Sequence, residues 1–193
     1  MLPEYFEFSL PTKLIYGTGI IGNIADALKP FGKRKAILVT DEVLAKAGPV
    51  DTVKTGFKKT PVRVCCTFSK VPPNSTIKTV EQCAALAKKH DCDMFIAVGG
   101  GSVIDTAKVA NLLVVKGGKL EDHMGAYLLD HSEKLLPSIY IPTTAGTGSE
   151  VTKVAVIADP DNDVKLPFAE EQFLPQMAIL DPEMTVSLPG KLT

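Results

Sequence analysis

Hydrophobic residues in this chain fall into short, nearly continuous runs, and segments of helical periodicity lie between these runs. Runs rich in valine and isoleucine are typical of strands buried on both faces of a sheet; they occupy residues 36–39, 62–68, 94–98 and 138–141, with a further strand-like run over 13–16. Apolar positions at helical spacing predict helices over 50–57, 77–87 and 103–114. Asn74 or Ser75 is the predicted cap of the second helix.

Strands that alternate with helices of this length require crossover connections, so the sequence predicts an α/β fold: a mostly parallel sheet with helices on both faces. In such sheets, ligands bind at the carboxyl ends of the strands. After residue 144 the pattern changes to extended runs divided by turn residues, which predicts a β hairpin or a small accessory sheet; these runs are 153–158, 164–169 and 177–180. We therefore expect one dinucleotide-binding domain over 1–193, with an α/β core over 1–150 and, over 151–193, a β extension and the start of an interdomain connection.

Composition and charge favour a folded domain with a small-molecule ligand. The 193 residues are 45% hydrophobic and carry a formal net charge of -1, so the chain can bury a substantial core. No basic block indicates nucleic acid binding, and no apolar run approaches the roughly 20 residues that span a bilayer. The first residues also lack the basic flank and apolar core of a secretory signal. We expect a cytoplasmic protein that binds neither nucleic acid nor membrane.

Cysteine and histidine spacing predicts no metal site. The four cysteines include an adjacent pair but no C-x-x-C spacing, so we interpret them as reduced packing residues: Cys65, Cys66, Cys83 and Cys92. The three histidines lack the i, i+4 spacing that places two ligands on one helix face. We therefore expect this chain itself to bind no metal ion.

The segment with the most specific chemistry is the glycine turn, formed by Gly99, Gly100 and Gly101, which follows a buried-strand pattern and precedes a predicted helix. Glycine has no Cβ, so a pyrophosphate can approach this backbone closely. The peptide N–H groups there, together with the positive end of the helix dipole near Ser102, would face the anion. Asp105, one turn into the helix, either orients the loop, a ribose or a nicotinamide group, or simply stabilises the first helical turn.

A literal G-x-G-x-x-G pattern also occurs, at Gly17, Gly19 and Gly22. It fits a dinucleotide-binding fingerprint with Asp41 further along the chain, although a tight turn requires the same glycines. Asp41 follows a predicted strand, where its carboxylate can accept hydrogen bonds from ribose hydroxyls and would repel a 2′-phosphate. This favours NAD over NADP; the alternative is that Asp41 caps the next short helix.

A second loop, Pro-Thr-Thr-Ala-Gly-Thr-Gly-Ser-Glu over residues 142–150, follows another predicted buried strand. We name it the hydroxyl loop, because four of its side chains have hydroxyls that can bind phosphate or carboxamide oxygens: Thr143, Thr144, Thr147 and Ser149. An ordinary Ser/Thr turn is the alternative. Two glycine-rich loops that follow two strands of one sheet would converge on one crevice, so we favour a ligand-binding role.

Several ordered motifs together resemble the iron-containing (group III) alcohol dehydrogenase family over essentially the whole chain. They are Val39-Thr40-Asp41, Pro73-Asn74-Ser75-Thr76, Ala97-Val98 with the glycine turn up to Asp105, the segment 142–152, and Leu180-Asp181-Pro182-Glu183. The resemblance implies a Rossmann-like, dehydroquinate synthase-like N-terminal domain that binds the cofactor. Glycerol dehydrogenases and dehydroquinate synthases share the glycine turn without the full signature of the hydroxyl loop.

The resemblance also implies roles for individual residues. Asp41 would meet the adenosine ribose. Other positions would line the cofactor: Gly100, Gly101 and Ser102 at the pyrophosphate, then Thr143 and Thr144, and, nearby, Asn74, Thr147, Ser149 and Lys165. The family's Fe²⁺ or Zn²⁺ is held by an aspartate and three histidines of a following all-helical domain, which lies outside this sequence.

These implications predict the NAD-binding half of a metal-dependent dehydrogenase that transfers hydride between a primary alcohol or aldehyde and a nicotinamide cofactor. The chain alone is expected to bind NAD(H) weakly and to be inactive, since half of the cleft and the metal would be missing. A homo-oligomer is expected, because the strand over 13–16 could pair with a partner's sheet edge. Two alternatives stay open: a stand-alone, non-catalytic nucleotide-binding module, and a glycerol or polyol dehydrogenase of the same fold.

Overall fold

The computed structural model describes residues 9–130 and 132–186, which form two β-sheets and the helices around them. The strands are β1 (Lys13–Tyr16), β2 (Arg34–Val39), β3 (Val62–Phe68), β4 (Met94–Gly99), β5 (Gly125–Ala126), β6 (Ser138–Pro142), β7 (Val154–Asp159), β8 (Val164–Ala169) and β9 (Met177–Leu180). The α-helices are α1 (Ala25–Leu28), α2 (Glu42–Ala47), α3 (Pro49–Phe57), α4 (Ile77–Lys89) and α5 (Gly101–Lys116). Short 3-10 helices cover Ile20–Asn23, Lys29–Phe31, Leu120–His123, Ser149–Val151, Glu171–Phe173 and Pro182–Met184.

Six parallel strands form the main sheet in the order β1-β9-β6-β4-β2-β3. Strand β4 lies between β6 and β2, and all of its residues are buried, as expected for a strand covered on both faces. Because these strands are parallel, β2, β4 and β6 end at the same edge of the sheet. The loops that follow these three strands are therefore neighbours.

Helices cover both faces of the main sheet, so the predicted α/β fold is confirmed. On one face, the apolar side chains of α4 and α5 form a core that includes Phe95 of β4. On the other face, α1 and α3 contribute Leu28, Val53 and Phe57 to a second core, which includes Ile96 of β4. Phe95 and Ile96 enter different cores because successive side chains of a strand point to opposite faces.

The predicted strands and helices match the observed ones to within two residues at each end, but the predicted cap of α4 is wrong. The Thr76 side chain, rather than Asn74 or Ser75, accepts a hydrogen bond from the Thr79 N–H at 3.3 Å. A capping residue must directly precede the first helical residue, and the two earlier positions lie too far upstream.

The expectation that residues 177–180 join an accessory sheet is also wrong, because β9 lies inside the main sheet between β1 and β6. Its first three residues are buried in succession, a pattern typical of a strand covered on both faces. In β7 and β8, buried and exposed positions largely alternate. The uninterrupted apolar run Met-Ala-Ile-Leu is therefore the signal that separates β9 from the hairpin.

The division of the chain into an α/β core and a β extension at residue 150 stays a prediction.

The predicted hairpin is present: β7 and β8 pair antiparallel, and the short β5 adds a parallel strand to β8. Ala155, Ile157 and Phe168 of this hairpin belong to the same core as α4 and α5. Helix α5 contacts both β4 and β7, so it lies between the main sheet and the hairpin. Within the described part of the chain, no helix combines the length and apolar character needed to cross a membrane.

Candidate functional site

The amino end of α5 lies at the carboxyl edge of the main sheet, directly after β4. Gly100 is the N-cap residue, and among the described residues no side chain caps the first turn by a hydrogen bond. The first peptide N–H groups of a helix lack acceptors within the helix, and the dipole of this 16-residue helix adds positive potential there. This arrangement can bind an anion such as a phosphate.

Close packing, rather than an unusual backbone conformation, requires glycine in the glycine turn. Gly100 has a φ of -82°, and none of the three glycines has the positive φ that favours this residue. A Cβ at Gly99 would lie 2.6 Å from the Val103 side chain, and a Cβ at Gly100 would lie 3.1 Å from the Thr144 side chain. Side chains at these positions would therefore displace the helix or the hydroxyl loop.

The hydroxyl loop packs against the glycine turn, so the two loops converge as expected. The Thr143 N–H donates a hydrogen bond to the Gly99 carbonyl oxygen at 3.1 Å. A Cβ at Gly101 would lie 3.3 Å from both Ser149 Oγ and Thr147 Cγ2. Thr147 Oγ1 in turn accepts a hydrogen bond from the Ser149 N–H at 3.3 Å. Backbone and hydroxyl groups of both loops therefore meet at the start of α5.

The loop between β3 and α4 reaches the same helix end. The Asn74 N–H donates a hydrogen bond to Ser102 Oγ at 3.2 Å, and Asn74 has a φ of 58°, which asparagine tolerates better than most residues. The next residue, Ser75, accepts a hydrogen bond from Thr106 Oγ1 at 2.6 Å. These contacts hold Asn74 beside Ser102.

Asp41 lies at the end of β2, the strand next to β4. Its Oδ1 accepts a hydrogen bond from the Leu44 N–H at 2.8 Å and caps α2, so the capping alternative is observed. Thr40 Oγ1 donates to the Val98 carbonyl oxygen at 2.9 Å, which joins the ends of β2 and β4. A carboxylate accepts several hydrogen bonds, so capping by Oδ1 is compatible with a second role for Asp41.

Lys165 lies on β8 in the hairpin, and its side chain is exposed. It pairs with Ala158 of β7, and Ala158 forms a parallel bridge with Thr76. Two strand spacings, roughly 10 Å, therefore separate Lys165 from Thr76. Strand β7 therefore lies between Lys165 and the segment that carries Asn74.

Asp105 connects α5 to the hairpin rather than to the glycine turn. Its Oδ2 accepts a hydrogen bond from the Val156 N–H of β7 at 3.1 Å. Its Oδ1 is buried without a hydrogen-bond partner among the described residues. Burial raises the pKa of the Asp105 carboxyl, although the Val156 N–H and the nearby Lys108 act to lower it.

Lys108 is a residue that the sequence analysis missed. Its side chain is fully buried, and its ammonium group donates to the Thr152 carbonyl oxygen at 2.8 Å, to Thr152 Oγ1 at 3.1 Å and to the Val154 carbonyl oxygen at 2.8 Å. Ile104 and Leu112, four residues before and after it, are both buried. The sequence therefore contained a signal for this buried lysine: Lys108 lies on the apolar face of its helix.

The G-x-G-x-x-G segment is occupied by a carboxylate of the same chain. The N–H groups of Gly19 and Ile21 donate to Oδ1 and Oδ2 of the buried Asp181 at 2.9 and 3.2 Å. A carboxylate in this position uses the donors that a phosphate would need. The segment is therefore a structural turn, as its alternative interpretation predicted.

The structure brings most of the predicted cofactor residues together at the start of α5. They are Asn74, Gly99, Gly100, Gly101, Ser102, Thr143, Thr144, Thr147 and Ser149. Asp41 ends the adjacent strand, whereas Asp105 and Lys165 are associated with the hairpin.

Known proteins match this chain along nearly its whole length. The sequence model of the iron-containing alcohol dehydrogenase family matches residues 11–182. The chain is 35% identical over 187 residues to the NAD-dependent methanol dehydrogenase of Bacillus methanolicus. This alignment covers 97% of this chain and 48% of the methanol dehydrogenase. The chain is also 36% identical over 193 residues to the choline dehydrogenase of Bacillus subtilis. This alignment covers 100% of this chain and 48% of the choline dehydrogenase. The chain thus spans about half the length of the curated relatives it matches.

Solved structures share the fold as well. A 1,3-propanediol oxidoreductase matches with a TM-score of 0.90 and 30% identity, over 98% of this chain and 49% of the other. The sulfoacetaldehyde reductase of Bifidobacterium kashiwanohense, solved in complex with NAD⁺, matches with a TM-score of 0.86 and 30% identity, over 98% of this chain and 50% of the other. The motifs, the fold and these matches agree, and this chain therefore belongs to the iron-containing alcohol dehydrogenase family.

Proposed function

We propose that this chain binds NAD(H) and forms the cofactor half of a dehydrogenase that transfers hydride between a primary alcohol or aldehyde and the nicotinamide ring. The observation that carries the proposal is the uncapped amino end of α5, with Gly100 and Gly101 packed against the hydroxyl loop. Membership of an alcohol dehydrogenase family supports the reaction class. The NAD dependence of the methanol dehydrogenase and the NAD⁺ complex of the sulfoacetaldehyde reductase support the cofactor.

In this proposal the pyrophosphate accepts hydrogen bonds from the first peptide N–H groups of α5. The helix dipole favours a negative charge at this position. The missing Cβ atoms of Gly100 and Gly101 let Thr144 and Thr147 pack against this backbone, so their hydroxyls would lie close to the bound anion. Ser102 would contribute its N–H and its hydroxyl.

Asp41 would bind the adenosine ribose in the same proposal. A carboxylate at the end of β2 can accept hydrogen bonds from ribose hydroxyls, and its charge repels the additional phosphate of NADP. We therefore propose that the chain prefers NAD(H). Thr143, Ser149, Asn74 and Lys165 would lie near the cofactor, and Asp105 would act at a distance by holding the hairpin on α5.

The described residues do not fit the metal ion that the family resemblance implies. That ion would need an aspartate with three histidines, whereas the group of three potential metal ligands within residues 9–130 and 132–186 consists of Cys65, Cys66 and Cys92. We therefore propose that the Fe²⁺ or Zn²⁺ of the full-length enzyme, which would polarise the substrate oxygen, is held outside this chain. The chain by itself would then have no dehydrogenase activity.

A homo-oligomer is proposed from the exposed edge of the main sheet. Among the described strands, β1 is the last in that sheet, and Leu14 and Tyr16 on it are 45% and 71% exposed. An edge strand presents N–H and carbonyl groups that can pair with a strand of a second chain. Two copies of β1 are the proposed contact.

Fluorescence titration of the purified chain with NADH tests cofactor binding. We expect Gly100→Val to weaken NADH binding by at least about tenfold, or about 1.4 kcal/mol, because the new side chain meets Thr144. Gly22→Ala is the matched control, since nothing lies within 4 Å of its added Cβ. Equal NADH affinity of wild type and a folded Gly100→Val variant, or no binding by either, would contradict the proposal.

Activity assays separate the alternatives. The 193-residue chain supplied with Fe²⁺ or Zn²⁺ is expected not to oxidise alcohols. Robust metal-dependent alcohol oxidation by this chain would contradict the proposal that the metal is held outside it. The full-length protein is expected to reduce NAD⁺ with primary alcohols. Activity confined to glycerol or phosphorylated polyols would identify a polyol dehydrogenase instead, and NADH binding without any activity would identify a non-catalytic module.

A further inference from the structure

Strand β3 contains a bulge that places two adjacent cysteines on the same face of the main sheet. Ala36 of β2 pairs with Val64 and Ile37 pairs with Cys66, so Cys65 is an extra residue in β3. Val64 packs against the core on the α3 side, but Cys65 and Cys66 both pack against the core of α4 and α5. Adjacent residues of a regular strand face opposite sides, and a bulge removes this alternation.

Cys92 approaches both thiols from the segment that precedes β4. Its Sγ lies 3.0 Å from Cys65 Sγ and 3.6 Å from Cys66 Sγ. All three sulfur atoms lie within 4.8 Å of one another. Cys65 and Cys66 are half-buried and Cys92 is buried, so the three sulfurs converge just beneath the surface. We name these residues the cysteine cluster.

The cysteine cluster lies at the opposite end of the main sheet from the glycine turn. Cys92 precedes β4 and Gly99 ends it. At about 3.3 Å per residue, the strand separates these two positions by roughly 20 Å. The cluster is therefore independent of the proposed cofactor site.

We propose that Cys65, Cys66 and Cys92 form a three-coordinate thiolate site for a soft monovalent metal ion such as Cu(I). Trigonal coordination with metal–sulfur bonds of about 2.3 Å places the sulfurs about 4 Å apart. Each sulfur–sulfur distance in the cluster would therefore change by about 1 Å or less on binding. Thiolates select soft ions such as Cu(I). Among the described residues, no histidine, aspartate, glutamate or further cysteine joins the cluster. This favours a three-coordinate ion over Zn²⁺, whose structural sites have four ligands.

Binding exchanges protons for the metal ion. Each thiol loses its proton, so one Cu(I) replaces three protons, and neither copper nor sulfur changes oxidation state. The complex of one monovalent cation and three thiolates carries two negative charges. Lys54, Lys58 and Arg63 line the groove of about 610 Å³ that also contains Cys65 and Cys66, and these positive charges offset those of the complex.

Anaerobic titration of the reduced chain with Cu(I), in competition with a chromogenic Cu(I) chelator, tests the site. We expect one tightly bound copper per chain, a near-ultraviolet thiolate-to-copper absorption band, and weaker binding of Zn²⁺. Cys66→Ser should lower Cu(I) affinity at least tenfold. Cys83→Ala is the matched control, because Cys83 is buried in the same core but lies outside the cluster; its copper binding should equal that of wild type.

Three results would overturn the site: no copper uptake by the reduced wild type, equal uptake by wild type and Cys66→Ser, or an equal loss in Cys83→Ala. Circular dichroism checks that each variant is folded, and Cys65→Ser, at a half-buried position, serves if Cys66→Ser does not fold. NADH affinity should be the same in all folded variants. Failure of the copper site and failure of the proposed cofactor site are therefore separate outcomes.

Discussion

The ammonium group of Lys108 donates a hydrogen bond to the Thr152 carbonyl oxygen at 2.8 Å in a fully buried position. The same ammonium group also donates to Thr152 Oγ1 and to the Val154 carbonyl oxygen, so each of its three N–H donors has an acceptor. Lys108 belongs to the helix that begins at the glycine turn, and Thr152 follows the hydroxyl loop. This contact therefore positions the hairpin relative to the proposed anion site.

Lys108→Met is expected to lower the free energy of unfolding by about 3 kcal/mol, because the carbonyl oxygens of Thr152 and Val154 lose the donor that the buried ammonium group supplies. Methionine retains much of the side-chain volume. Urea denaturation measures the change. Lys88→Met on the exposed surface of α4 is the control and should change stability by less than about 0.5 kcal/mol. Equal effects of the two substitutions would show that the Lys108 contacts contribute nothing.

The pH dependence of stability should also differ between wild type and Lys108→Met. Burial lowers the pKa of Lys108 to about 8 in the folded chain, although Asp105 and Glu150 act to raise it. An unfolded lysine titrates near pH 10.4, so between these values the unfolded state binds more protons and this lysine makes stability rise with pH. The unfolding free energy of wild type minus that of the variant should therefore increase between about pH 8 and about pH 10.5.

Denaturation curves at several pH values within this window test that increase. The difference between the two proteins must be used, because burial raises the pKa values of Cys66 and Tyr140 and these groups lower stability as pH rises. A difference that stays constant with pH would show that Lys108 titrates normally in the folded chain, and a decrease would show that its pKa is raised there; either result contradicts the prediction.

Gly56→Ala is expected to destabilise the chain by about 2 kcal/mol or more, as overpacked substitutions do. Helix propensity alone predicts the opposite, a gain of about 1 kcal/mol inside α3. A Cβ at Gly56, however, would lie 2.2 Å from the carbonyl oxygen of Ile21, and a backbone atom cannot move aside cheaply. Thermal unfolding of Gly56→Ala beside Gly22→Ala, which adds a Cβ in open space, decides between the two effects.

Asp181→Ala is expected to lower the free energy of unfolding by about 2 kcal/mol, because the N–H groups of Gly19 and Ile21 lose their acceptor. Asp161→Ala, at an exposed turn, is the control and should be nearly neutral. The NADH affinity of the folded Asp181→Ala variant should equal that of wild type. Weaker NADH binding without loss of stability would instead assign the G-x-G-x-x-G segment to the cofactor.

Asp41→Ser should shift cofactor preference towards NADPH, by about tenfold in the ratio of NADPH to NADH affinity, or about 1.4 kcal/mol. Serine retains an oxygen that caps α2 but removes the charge that repels the 2′-phosphate. Asp41→Ala, which loses both, should in addition cost about 1 kcal/mol of stability. An unchanged preference in Asp41→Ser, measured by fluorescence titration with both cofactors, would limit Asp41 to its capping role.

The strands and helices could be predicted because their signals are local. The continuous apolar runs of β4 and β6 indicate burial on both faces, and the spacing of apolar residues in α4 and α5 indicates helices. The same reasoning placed the glycine turn and the hydroxyl loop at neighbouring strand ends. This reasoning predicted β9 as a strand but assigned it to the wrong sheet, because its neighbours in the main sheet, β1 and β6, are remote in sequence. The expected cytoplasmic location and the individual roles of the cofactor residues stay predictions.

The sequence by itself determined the α/β pattern, the place of the glycine turn and the family, because periodicity and short motifs depend on residues close together in the chain. Only the tertiary structure decided which donors meet which acceptors. It brought Asp181 to the turn at Gly19, buried Lys108 against Thr152, and gathered three cysteines around one bulge. Such contacts join residues that are remote in the chain, and sequence spacing carries no record of the distance between them.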